Sequence, residues 1–311
     1  MNSDGRFKII RSPNLLVILE KPGQNAVSAV GTKKKADFKK IPVDICVCTF
    51  SSDHTESNDH FNLITRCLLS VVNNTDPSLY TLHIGCNNLS LRAMAFVDWL
   101  VSCYGAKKYI GNPSKDVSGR TIYPKYPLMA DMYDATHSEW VVWFDDDCYV
   151  TASDWLEKLE DKINETPDAD QFGDEALIVL SLSHQQQWIE PSTWYTPGKI
   201  ECQNFPEGVR IVSPFIIGGF YAISRNAINV CRIPDPRLVH NNGDWTTGMA
   251  LDHQGFKIAN HMYGVTRGDV PRRGIHADKL CLPEEAEQQR VQAEKIAINT
   301  VFDTDGRYSI I

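Results

Sequence analysis

Three adjacent carboxylates, Asp145, Asp146 and Asp147, stand at the end of an unbroken apolar run, Trp140-Val141-Val142-Trp143-Phe144. Side by side they repel one another, and proton uptake or a bound cation relieves that repulsion. Hard divalent ions such as Mg²⁺ and Mn²⁺ take oxygen ligands, keep open positions and bridge protein carboxylates to phosphates. The residue types therefore point to a metal or phosphate site. The bland alternative is a cap for a helix beginning near Ser153-Asp154-Trp155, for which one acid would suffice.

Other candidates lie further along. Gly218-Gly219 interrupts the apolar segment from Phe215 to Ile223. Paired glycines in a strand mark either close approach of backbone to a ligand or a β-bulge. Asp244, in Asn241-Asn242-Gly243-Asp244-Trp245, stands where a helix begins and reads equally as its N-cap. Arg272, Arg273 and His276 share one loop, where they would face phosphate and metal or simply solvent.

The elements that must position these groups alternate between two periods. Val43 to Phe50 reads as the first strand of the main fold, with Cys46 and Cys48 packing as small hydrophobes. Phe61, Ile64, Leu68, Leu69, Val71 and Val72 recur at helical spacing behind it. Tyr80 to Gly85 is a second strand, ending at Asn87-Asn88; Ser90 to Tyr104 is a second helix, and Lys107 to Ile110 a third strand. A polar loop from Gly111 to Tyr126 leads to a helix from Leu128 to Thr136 and then to the acidic strand. A helix marked by Trp155, Leu156, Leu159 and Ile163 follows, then a strand from Ala176 to Leu182. The aromatic stretch from His184 to Pro214 reads as irregular structure over a pocket, a helix runs to Gly255, and Lys257 to His261 is a short strand. Such alternation predicts βαβ units and a mostly parallel central sheet flanked by helices, an α/β fold.

Residues 1–40 read as an N-terminal appendage and linker, with a short strand at Leu15 to Leu19 and five lysines between Gly31 and Lys40. Residues 41–280 form the main domain, divided into halves at 41–150 and 151–280, and 281–311 read as a C-terminal polar helix and tail. The net charge of -8 argues against a broad nucleic-acid surface. No apolar run reaches the length of a membrane span, and nine cysteines without Cys-x-x-Cys pairing read as reduced and cytoplasmic.

In this order the pieces resemble the GT-A glycosyltransferases, family-2-like enzymes that use nucleotide sugars. The resemblance spans roughly Val43 to His276. Phe144-Asp145-Asp146-Asp147 is similar to the family's DxD motif, Gly218-Gly219-Phe220 to its donor-side glycine pair, and Gly243-Asp244-Trp245 to its acidic acceptor-side helix. His276 stands where many members carry a metal-binding histidine. The resemblance implies that Asp147 and His276 bind Mn²⁺ or Mg²⁺ and that Asp145 and Asp146 contact the donor. It implies Asp244 as general base of an inverting transfer to an acceptor hydroxyl. Lys125, Arg272 and Arg273 would add positive charge at the diphosphate. The first half would bind the nucleotide and the second the acceptor.

Two departures stand out. Where many members place an acid after the second strand, this chain has Asn87 and Asn88; an amide can still hold a pyrimidine edge, and a UDP-sugar is favoured. Where many carry an acid before the base, this chain has Gly243, which leaves a retaining reaction open. A nucleotidyltransferase would want a Gly-rich loop after the first strand, and Ser51 to Ser57 has no glycine. A non-catalytic nucleotide-sugar or glycan binder is the alternative from another class. The acceptor stays open among a glycan, a protein side chain and a hydroxylated DNA base. Trp188, Trp194 and Tyr195 are available to stack on any of these.

Overall fold

The computed structural model describes residues 7–12, 15–20, 42–51, 58–115, 119, 121–181, 187–189, 210–234, 238 and 243–267. The chain divides into two compact units, Met1–Lys39 and Lys40–Ile311. In the first, strands β1 (Phe7–Ser12) and β2 (Leu15–Glu20) pair antiparallel. β2 was legible in the sequence; β1, with Lys8 and Arg11 among its apolar residues, was not. The lysines from Lys33 to Lys40 lie outside the described residues.

The second unit opens with β3 (Val43–Phe50), α1 (Asn58–Asn74), β4 (Tyr80–Asn87), α2 (Leu91–Tyr104) and β5 (Lys107–Ile110). The two-residue strands β6 (Ser114–Lys115) and β7 (Thr121–Ile122) pair with each other. Then come α3 (Lys125–Asp134), β8 (Trp140–Asp145), β9 (Cys148–Val150) and α4 (Trp155–Glu165). β10 (Ala169–Ser181), β11 (Gln187–Ile189), β12 (Arg210–Ser224) and α5 (Arg225–Cys231) follow. The described part closes with α6 (Gly243–His253), β13 (Lys257–Asn260) and β14 (Val265–Arg267).

The main sheet runs β11-β10-β12-β8-β3-β4-β5, with β13 also on β10. The pairs β3–β4, β3–β8, β4–β5 and β10–β13 are parallel. β12 and the short edge strand β11 are reversed, β12 antiparallel to both β8 and β10 and β11 antiparallel to β10. The expected α/β architecture, a mostly parallel sheet with helices on both faces, is what the chain adopts. Among the described residues no helix is long and apolar enough to cross a membrane.

Period-two alternation divides the core between the two faces of the sheet. Val43, Ile45 and Val47 of β3, with Trp140, Val142 and Phe144 of β8, join one cluster with α1, α2 and α4. Cys46 and Cys48, with Val141 and Trp143, join the other with α3, α5 and α6. Because both faces are covered, the central strands are near-continuous apolar runs, which is why they were legible. Burying one such side chain, Phe144 for instance, contributes about 1.5–3 kcal/mol.

Asp44 is the exception inside β3, a buried carboxylate. Its oxygens accept hydrogen bonds from the backbone N–H groups of His137 and Ser138, both at 2.7 Å, and meet His83 Nε2 at 3.1 Å. Burial alone would raise its pKa, but these three contacts hold it well below the usual carboxylate range. His83 Nδ1 reaches the Tyr109 hydroxyl at 2.9 Å, so one polar chain ties β3, β4 and β5 to the turn before β8.

Gly248 allows α6 to lie directly on β12. A Cβ there would fall 2.3 Å from Phe215 Cβ and 2.6 Å from the Phe215 Cα and the Pro214 carbonyl oxygen. Gly248→Ala gains about 1 kcal/mol of helix propensity, but overpacking against backbone costs about 1–3 kcal/mol. The clash is with backbone, which cannot swing aside, so the upper part of that cost applies and the expected net loss is up to about 2 kcal/mol, read as a melting temperature lower by several degrees. An unchanged or raised melting temperature would mean that α6 does not sit this close to β12.

Candidate active site

Alternation along β8 places the first acid. Val141, Trp143 and Asp145 share the α3 face, so Asp145 meets Lys125, the first residue of that helix. Lys125 Nζ donates to Asp145 Oδ1 at 2.6 Å, and the Trp143 indole N–H donates to the same oxygen at 2.9 Å. The ammonium also lies 5.3 Å from the Trp143 ring centroid. Burial pulls the Lys125 pKa down, but the Asp145 charge and hydrogen bond outweigh it and the net shift is upward. The helix was expected from Leu128. It begins three residues earlier, because Pro127 falls in the first turn, where a missing N–H is tolerated.

Asp146 and Asp147 form the turn after β8 and precede β9. The backbone N–H of Phe50 donates to Asp146 Oδ2 at 2.8 Å, linking the turn to the end of β3. The Cys148 thiol lies 3.5 Å from Asp147 Oδ1. The helix-cap alternative fails: α4 starts at Trp155, beyond β9, and its N-cap position is Asp154. Burial, then the charge of Asp147, pushes the Asp146 pKa up to about 8, against the opposing Phe50 hydrogen bond.

A testable pH dependence follows. Asp146 binds its proton more tightly in the native state than in the unfolded chain, where 3.8 applies. Native stability therefore falls as pH rises from about 4 to about 8. In EDTA, the wild type should lose more stability than Asp146→Asn between pH 5 and pH 9, measured by denaturant unfolding. Parallel profiles for the two proteins would show that Asp146 is already ionised in the native state at neutral pH.

Asp244 is brought to the same region from 26 residues beyond Gly218. It lies in the first turn of α6, not at its N-cap, and its Oδ2 accepts the Gly218 backbone N–H at 3.1 Å. The sequence reading of Asp244 as N-cap is thus corrected: the carboxylate addresses a different strand. A Cβ on Gly218 would meet Asp244 only at 3.6 Å, whereas Gly219 has φ +116°, open to glycine and strained for other residues. β12 continues through both. A Cβ at Gly243 would lie 2.0 Å from the Tyr126 ring, and Tyr126 is buried. That explains the missing acid before Asp244, since no side chain fits there.

Lys125, Tyr126, Trp143, Gln171, Gly218, Tyr221, Gly243, Asp244 and Thr247 line one cleft. The site residues Lys125, Gly218 and Asp244 thus converge, with Asp145 joined through Lys125. Asn87 is placed elsewhere, at the end of β4 and opposite Phe50. It is buried, its Nδ2 donates to the Tyr123 carbonyl at 3.0 Å, and its Oδ1 has no partner among the described residues. Arg272, Arg273 and His276 lie outside the described residues, as do Trp194, Tyr195 and the polar helix expected after Pro283. Among the described residues no group of three or more His, Cys, Asp or Glu is arranged to hold a metal. Sequence reasoning missed Tyr126, Gln171 and Tyr221. Nothing local marks them, because an aromatic or amide residue in a loop or strand pattern carries no site signal.

No family model and no curated protein sequence matches the chain. Solved structures do resemble it. A mannosyltransferase stands among its structural neighbours: PcManGT from Pyrobaculum calidifontis, in complex with GDP-Man and Mn²⁺. It is 13% identical, with 74% of this chain and 58% of that one covered and a TM-score of 0.45. TarS 1–349 of S. aureus is 12% identical, covering 71% of this chain and 58% of that one, with a TM-score of 0.45. The same TarS segment in complex with UDP-GlcNAc is 14% identical, covering 44% and 34%, with a TM-score of 0.32. The chain spans little more than half the length of the first two. At this level of likeness the site has to be argued from its own residues.

Proposed function

We propose that the chain is a metal-dependent glycosyltransferase that moves a sugar from a nucleotide-sugar donor to an acceptor hydroxyl. The observation that carries the reading is one cleft lined by Asp244 and Lys125, with Lys125 paired to the first of three acids at the carboxyl end of β8. Crevices beyond the carboxyl ends of parallel strands are where open α/β sheets bind ligands.

Each residue has a role in that reaction. Asp244, held by the Gly218 N–H, takes the acceptor proton as the hydroxyl attacks the anomeric carbon, giving inversion. Lys125 holds Asp145 in place for the donor and adds positive charge where the leaving diphosphate gains negative charge. Asn87, whose buried carbonyl oxygen has no partner among the described residues, would accept the imide N–H of uracil, which favours a UDP-sugar. Asp147, with His276, would hold Mn²⁺ or Mg²⁺. A carboxylate oxygen such as that of Asp147 is the kind of ligand a hard divalent ion takes. When bound, the cation neutralises charge on the departing diphosphate. Arg272 and Arg273 would serve the same phosphates.

The test is nucleotide release from a panel of UDP, GDP, CMP and dTDP sugars, with Mn²⁺ or EDTA, beside Asp147→Asn. Release that needs metal and is lost in the variant supports the transferase and names the donor. Metal-dependent binding without turnover, even with candidate acceptors, would favour a non-catalytic binder. No nucleotide binding at all would remove both.

A further inference from the structure

The start of β10 reads Ala169-Asp170-Gln171-Phe172-Gly173. Phe172 turns to the α1 and α4 side of the sheet and is fully buried. Alternation then sends Gln171 to the opposite face, among Val141, Trp143, Tyr221 and Ile223, where an apolar residue belongs. Gln171 is only 1% exposed, and its Oε1 has no hydrogen-bond partner among the described residues. An unpaired buried amide oxygen is costly, and native structures rarely keep one without a use.

The surroundings narrow that use. Gln171 lines the cleft that also carries Lys125, Gly218, Tyr221 and Asp244. The donors already placed beside it bond to other groups. Lys125 Nζ is bonded to Asp145, and the Tyr221 hydroxyl pairs with that of Tyr133 at 2.9 Å. The cleft is therefore left with an acceptor that nothing in its described walls satisfies.

We infer that Gln171 is a specificity-determining residue whose Oε1 accepts a hydrogen bond from a hydroxyl of the transferred sugar. The inference rests on the transferase reading and goes beyond it by assigning a contact that selects among sugars. A site built around a hydrogen-bond acceptor rejects an analogue lacking the matching hydroxyl far better than an apolar wall does.

The test compares wild type with Gln171→Met, which keeps the length and removes the acceptor, and with Gln171→Glu, which keeps an acceptor. Calorimetry with Mn²⁺ measures affinity for UDP, GDP, UDP-glucose, UDP-galactose, UDP-GlcNAc and GDP-mannose. The readout is how much tighter each nucleotide sugar binds than its parent nucleotide. Gln171→Met should cut that advantage about tenfold for the preferred sugar and leave parent nucleotide affinity unchanged. The deoxy analogue that lacks the contacted hydroxyl should bind wild type and Gln171→Met alike. An unchanged advantage in Gln171→Met, with or without a raised melting temperature, overturns the inference in favour of a buried water, while nucleotide-sugar binding by the wild type keeps the transferase reading. If the wild type binds no nucleotide sugar, the transferase reading falls and the inference with it.

Discussion

Asp244→Asn is expected to lower turnover by about 10²–10⁴-fold, the usual contribution of a positioned general base, with the melting temperature unchanged. Asparagine is close to isosteric, and its amide oxygen still accepts the Gly218 N–H that Asp244 now takes at 3.1 Å. What disappears is the capacity to accept the acceptor's proton. The variant should therefore bind the donor as the wild type does and fail at the chemical step. Initial rates of nucleotide release from the donor named by the panel, beside donor affinity and thermal unfolding, separate these effects. Full turnover in Asp244→Asn would remove the base from this position and restore the retaining alternative. A loss of donor affinity equal to the loss of rate would make Asp244 a binding residue instead.

Lys125→Met has the largest expected effect on stability. Lys125 and Asp145 are mostly sheltered, with side chains 15% and 24% exposed. Methionine refills the stem but leaves Asp145 facing the cleft without its cation. Removing one partner of a fully buried pair costs about 3–5 kcal/mol; partial exposure lowers this to about 2–3 kcal/mol. The melting temperature should fall by about 4–12 °C. Lys125 also helps to hold down the Asp146 pKa, so its loss pushes that group further up. The double change Lys125→Met with Asp145→Asn removes both charges and should recover most of the loss. A shift below about 1 °C in the single variant would mean that solvent already screens the pair.

The two variants probe parts of the chain that were unequally readable. β8 was plain, because a strand covered on both faces is apolar without interruption, and the break in that pattern marked the acids. β10 was read from Ala176 but begins at Ala169. Its first half, with Asp170, Gln171, Asp174 and Glu175, is too polar to suggest a strand, and pairing with β12 and β13 overrides local preference. α3 was read three residues short because Lys125-Tyr126-Pro127 looks like loop. That shift decides the site, since it makes Lys125 a helical residue packed against β8.

Residue types and periods determined by themselves the alternation of strands and helices, the mostly parallel sheet and the three acids at a strand end. These are local properties, carried by which neighbours are apolar and how often they recur. Only the tertiary structure decided that Asp145 pairs with Lys125, that Asp244 binds Gly218 instead of capping its helix, and that Tyr126 fills the space above Gly243. It alone put Gln171 in the cleft wall with a buried oxygen that has no partner among the described residues. Those contacts join residues 20 to more than 100 positions apart, and such partners are chosen by how elements pack, which no local pattern encodes.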